Sequence, residues 1–139
     1  MIIERRHPEW ESRWAAVRDA WTGRVHKPAN GKDCAAFVLA SIAAVSGRKL
    51  AVPKLRRYNS EAGQTRAMLE VGWNDLLDAA DELLGDRIAP LAAHRGDVVS
   101  DGSTLGIMDV RGAWFFGEGG MVQIDRIALT AAWPVGRAF

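Results

Sequence analysis

The texture of the chain changes once, near Pro90, and that change limits the folds open to it. Before it, apolar residues recur at helical spacing between capping residues. After it come short β-rich runs, 97–100, 104–110, 113–116 and 121–124, separated by glycine-bearing turns. Helices first and a meander of strands afterwards predict an α+β domain in which a helix packs on a small antiparallel sheet. At 139 residues the chain has the length of one ordinary domain, read as mainly helical over 1–90 and mainly β over 91–139.

Within the helical part, Trp10, Trp14, Val17 and Trp21 share one face, after Pro8 at a first-turn position and before Gly23 as a stop. A loop over 23–32 holds His26, Pro28, Asn30 and Gly31, and Asp33 reads as the N-cap of a second helix. Cys34, Phe37, Val38, Ile42 and Val45 form the apolar stripe of that helix, which stops near Gly47. The stretch 49–58, with Pro53, reads as a connection. Ser60 caps a third helix ended by Gly72, and Asn74 caps a fourth ended by Gly85.

Bulk properties exclude several classes of function. Hydrophobic residues make up 48% and charged residues 25%, the balance of a soluble globular chain. The 18 basic residues nearly cancel the 17 acidic ones, so a net charge of +1 offers nucleic acid no electrostatic footprint. The pairs Arg5–Arg6 and Arg56–Arg57 read as solvated surface. The start turns charged at once, and the longest apolar stretch, 34–45, falls well short of the roughly 20 residues that span a bilayer. A cytosol-made protein without membrane insertion is expected. A single cysteine excludes an internal disulfide, and histidines at 7, 26 and 94 lack zinc spacing, so neither a metal nor a cofactor is expected.

Any chemistry then centres on Cys34. On the first turn of a helix, unpaired N–H groups and the positive end of the helix dipole favour a thiolate. With a cationic partner such a placement lowers a thiol from about 8.5 to roughly 3.5–7.5, the route by which nucleophilic cysteines are activated. The competing reading is a small buried hydrophobe. Asp33 and Asp97 read as a cap and a strand-start turn, not as acid–base carboxylates. Trp10, Trp14 and Trp21 read as packing of the first helix on the domain, with docking onto a neighbouring subunit as the alternative. Trp73, Trp114 and Trp133 read as core or half-buried, and Glu118-Gly119-Gly120 as an ordinary hairpin turn.

Gly31-Lys32-Asp33-Cys34-Ala35-Ala36-Phe37-Val38 resembles the Asp-Cys-Ser-Gly-Phe-Val segment that opens the catalytic helix of NlpC-type, papain-like cell-wall peptidases. Further along, Arg95-Gly96-Asp97-Val98-Val99 resembles that family's Pro-Gly-Asp-Leu-Val strand, and Thr104-Leu105-Gly106-Ile107-Met108 falls where its His-Val-Gly-Ile-Tyr strand is expected. Over nearly the whole chain the sequence is also similar to a small phage-encoded family of unknown function, found among tail genes, a divergent branch of the NlpC group. The residues carrying that likeness are the Asp-Cys segment, Arg57-Tyr58 leading into 60–72, the Gly-Asp-Val-Val strand, Leu105-Gly106, Gly119-Gly120-Met121-Val122 and Ala132-Trp133-Pro134-Val135.

The resemblance implies a papain-like NlpC-type fold with Cys34 as nucleophile, but three departures argue against activity. Thr104 occupies the position of the general-base histidine, and threonine does not take a proton from a thiol near neutral pH. Where the family keeps an orienting polar residue, this chain has Trp114, Phe115 and Phe116, and Ala35 and Ala36 replace the serine and glycine after the cysteine. His26, eight residues before Cys34, is the one alternative base; His94 reads as a surface residue at a strand entrance and His7 as a helix-start residue. The resulting expectation is a structural component of a phage tail, near the tip, with a degenerate peptidase fold. It would reside in the virion after assembly in the host cytoplasm, with other tail proteins as partners. The alternatives are an active endopeptidase cutting stem peptides of host peptidoglycan, and a module that binds wall peptides without cutting them.

Overall fold

The computed structural model describes residues 5–24, 34–48, 66, 68–70, 72–117 and 119–137. The expected loop and Asp33 cap, the connection 49–58, the Ser60 cap, Arg56–Arg57 and Glu118 lie outside these residues. The architecture is α+β: among the described residues, three complete helices stand against a five-stranded antiparallel sheet. Helix α1 spans Trp10–Thr22 and buries Trp14 and Trp21, while Trp10 stays half-buried, so the tryptophan face packs inward.

Helix α2, Cys34–Ser46, is apolar almost all round because it lies between α1 and the sheet. Its two buried hydroxyls are satisfied within the helix: Ser41 Oγ donates to the Phe37 carbonyl (2.9 Å) and Ser46 Oγ to the Ile42 carbonyl (2.7 Å). Its closing carbonyls are met from outside. The His7 amide donates to the Val45 carbonyl (2.7 Å) and Arg13 Nε to the Ala44 carbonyl (3.0 Å), while Gly47 takes the left-handed conformation that ends the helix (φ 74°).

A helical turn over 68–70 closes at the expected Gly72, whose amide donates to the Leu69 carbonyl (3.1 Å). Helix α3 spans Leu76–Leu84, and its cap is Asp75, one residue later than the expected Asn74. Asp75 has extended backbone and its carboxylate accepts from the Asp78 amide (2.9 Å). Asn74 instead donates its own amide to Asp78 Oδ2 (2.8 Å), so Asp78 reaches back past the cap to the residue ahead of it.

The strands are β1 Val98–Ser100, β2 Leu105–Met108, β3 Ala113–Gly117, β4 Gly120–Ile124 and β5 Ala131–Trp133, in the order β4-β3-β2-β1-β5. Four were expected; β5 was not. Three residues ahead of Pro134 carry too little periodicity to announce a strand, and β5 forms because β1 offers it an edge, Val98 opposite Trp133 and Ser100 opposite Ala131.

Side chains alternate across the sheet. Val98, Leu105, Ile107, Phe116 and Trp133 point to the helices, whereas Val99, Met108, Phe115 and Ala132 form a second cluster with Ala93 and Leu129 on the opposite face. The short 3-10 turns Pro90–Ala92 and Arg126–Ala128 flank that second face and are tied together, Arg126 Nη1 donating to the Pro90 and Ala93 carbonyls (3.0 Å each). Trp73 and Trp133 are buried and Trp114 is half-buried, as their pattern suggests. No described helix is long and apolar enough to cross a membrane.

Candidate functional site

Cys34 is the first residue of α2, half-buried, and packs on the helix-side core. As the first residue of the helix it belongs to the turn whose unpaired amides and dipole favour an anion. Thr104 stands in the turn immediately before β2, half-buried. Its amide donates to Asp101 Oδ1 (3.0 Å) and its carbonyl accepts from Ser100 Oγ (2.7 Å). The strand that Thr104 introduces continues with Leu105, which shares a core cluster with Cys34 and Phe37.

Of the three histidines, two are described. His26 lies outside the described residues. His7 lies at the other end of α2: its amide bonds Val45, eleven residues beyond Cys34. At 1.5 Å per residue that is about 16 Å of helix. Its Nδ1 accepts from the Glu9 amide (3.0 Å), the role of a helix-start residue. His94 is exposed at the entrance to β1, at the end of that strand away from Thr104.

Beneath α2, the β3 positions that would carry an orienting polar group are aromatic. Phe116 is buried, and its ring meets Trp21 edge-on at 5.0 Å and lies 6.4 Å from Phe37, one helical turn beyond Cys34. Trp21 and Phe37 close the cluster at 5.7 Å. Trp114 turns its indole N–H to Asp109 Oδ2 (2.9 Å). Among the described residues this interior is filled by rings. Among the described residues no three His, Cys, Asp or Glu side chains are grouped to hold a metal ion.

The main polar centre of the structure is one that the sequence reading passed over. Asp97, expected in a strand-start turn, is fully buried. Its carboxylate accepts from Arg6 Nη2 (2.9 Å), from Arg137 Nε (3.0 Å) and Nη2, and from the amides of His94 (2.9 Å) and Val135 (3.0 Å). Arg6 is accordingly not solvated surface. It also donates to the Val135 and Arg95 carbonyls and lies over the Trp10 ring at 4.3 Å. The sequence carried one signal: a charge adjoining Val98-Val99, a run buried on both faces, has to be buried with partners.

Asp109 makes a second such centre at the end of β2. It accepts from Arg95 Nε (2.9 Å), Arg18 Nη1 (3.3 Å), Trp114 Nε1 and its neighbour's amide, Val110 (2.8 Å), linking α1 to the β2–β3 turn. Burial pushes its carboxyl up, but the Val110 amide, the Trp114 indole and the Arg95 guanidinium outweigh this and hold it below the usual carboxylate range. A depressed folded-state pKa stabilises the fold above the unfolded value, near 3.9, and that contribution is lost as pH falls below it. Urea denaturation from pH 6 to pH 2 is expected to show Asp109→Asn at its largest deficit at pH 6, with the gap to wild type closing below about pH 4. A gap that does not change with pH would remove the charge from the account.

Fold and site together define an α+β protein with a cysteine heading a helix that packs on the sheet, and with buried arginine–carboxylate centres that tie distant segments together. The chain belongs to the family described as Domain of unknown function (DUF6950), whose model matches residues 5–135. No curated protein and no solved structure matches it.

Proposed function

We propose that this protein is a structural component of a phage tail, at or near the tip, built on an NlpC-like, papain-type scaffold that has given up peptidase chemistry. The observation that carries the loss of chemistry is the pairing of Thr104 at the head of β2 with the ring cluster of Trp21, Phe37 and Phe116 under the cysteine-bearing helix. A cysteine peptidase needs a base at the first position and a polar group to orient it. The scaffold reading draws on the order of elements: a helix headed by Cys34 packed on β2 and β3, with the Gly-Asp-Val-Val segment leading into β1 beside β2. The tail context, the virion location and the tail-protein partners rest on the sequence resemblance alone.

Phage carrying Cys34→Ser is expected to assemble and infect as wild type does, and purified protein is expected to leave peptidoglycan uncut. The thiol gives a second measurement. Iodoacetamide alkylation of Cys34 is expected to be slow at pH 6, because the half-buried thiol packs on the helix-side core. A fast, pH-independent reaction together with loss of wall degradation in Cys34→Ser would establish the active endopeptidase instead, with His26 as its base.

A further inference from the structure

We propose that β4 is the docking edge for a second copy of this chain, paired antiparallel across a two-fold axis at Val122. This goes beyond the tail reading and does not depend on the chemistry of Cys34. The two edges of the sheet are treated differently. Beyond β5 the chain adds a bridge, the Ile88 amide donating to the Ala132 carbonyl (2.8 Å) and the Ala132 amide to the Ile88 carbonyl (3.2 Å). Among the described residues β4 pairs with β3 alone, over five unbulged positions from Gly117 opposite Gly120 to Ala113 opposite Ile124.

Which backbone groups β4 leaves open follows from one bond. The Asp109 amide donates to the Gly112 carbonyl (2.7 Å), so Met108 and Ala113 face each other as a non-bonded pair of the β2–β3 ladder. The backbone groups of Trp114 then turn to β2, and those of Ala113, Phe115 and Gly117 turn to β4. Their partners Ile124, Val122 and Gly120 are used in return, and Met121 and Gln123 direct their N–H and C=O groups outward. Among the described residues nothing bonds them.

A second β4 fits this edge without adjustment. Antiparallel pairing about Val122 sets Met121 of each copy opposite Gln123 of the other, so the outward groups of one strand meet those of the other, and Val122 packs on its own counterpart. Val122 is 47% exposed, a large apolar side chain that such pairing would cover. Gly-Met-Val-Gln-Ile carries none of the devices that protect an edge, neither charge, proline nor bulge. In a two-fold pairing every strand residue meets a copy of its own strand, so an uncharged strand brings no like charges together, and the net charge of +1 gives the two copies little mutual repulsion.

Sedimentation equilibrium of the full chain is expected to give twice the 15.2 kDa of one chain at high concentration. The Met121 and Gln123 amides are expected to become protected from hydrogen exchange over the same concentration range. Val122→Lys, which sets two cations face to face, is expected to weaken association roughly tenfold or more. Gln123→Pro removes an outward N–H without touching the β3 ladder and is expected to abolish association while the far-UV spectrum stays that of wild type. A wild-type chain that is monomeric throughout, with freely exchanging Met121 and Gln123 amides, overturns the proposal and leaves the edge to an extended segment of another protein. A dimer that survives both substitutions in folded protein overturns it equally. Because the exchange measurement uses wild type alone, a variant that fails to fold leaves the proposal open to refutation.

Discussion

Asp97→Asn is expected to cost about 3–5 kcal/mol, the loss seen when one partner of a buried ion pair is removed and its counter-charges stay behind. The carboxylate is fully buried, and the side chains of Arg6 and Arg137 that meet it are only 14% and 16% exposed. Removing the negative charge leaves two guanidinium groups facing each other in a site closed to water, and the new amide N–H adds a donor where only donors converge. In a chain of this length such a loss lowers the melting temperature by roughly 10–20 °C. The substitution also releases two distant segments from β1 together, since Arg6 holds the Val135 carbonyl as well as Asp97 and the Val135 amide bonds the same carboxylate. Chemical denaturation of wild type, Asp97→Asn, Arg137→Met and the double variant would measure the coupling. The double variant is expected to lose clearly less than the sum of the single losses, and strict additivity together with a loss under about 1 kcal/mol would refute the account.

Gly106→Ala is expected to be nearly as damaging, about 3 kcal/mol, for a steric reason. A Cβ at this position would lie 2.6 Å from the Trp114 carbonyl oxygen and 2.8 Å from the Phe115 ring. The oxygen belongs to the neighbouring strand and cannot move without opening the β2–β3 ladder, which includes the Ile107–Trp114 pair. Phe115→Leu in the same chain relieves the ring contact and leaves the carbonyl contact, so only partial rescue is expected. Recovery to wild-type stability in that double variant would show that the sheet had room after all. The glycine shared with the peptidase strand motif thus has a packing explanation that needs no catalysis.

The two substitutions act on the scaffold around the cysteine-bearing helix and its sheet. Gly106 and Asp97 belong to the segments that carry the peptidase resemblance, and both act through the scaffold: a close sheet contact and a buried anion that gathers the segments around Arg6 and Val135. Thr104 and Phe116 stand where the resemblance would put a base and its orienting group, and Phe116 packs against Trp21.

Helix α1 and the body of α2 are legible in the sequence because periodicity, Pro8, Gly23 and Gly47 act over a few residues. The four strands of the meander are legible for the same reason, as is the placement of Cys34 at a helix N-terminus. The α3 cap fell on Asp75 and not on Asn74 because two adjacent residues of good capping chemistry are resolved only by backbone conformation, extended at Asp75. The rest was decided at long range. β5 exists because β1 has an edge to fill, and the Asp97 centre exists because Arg6, 91 positions away, and Arg137, 40 positions away, converge on one carboxylate. A linear pattern states which residues are apolar and where a turn begins. It does not state which distant cation a buried anion will meet, nor which strand edge is left open, because both depend on how the finished elements pack.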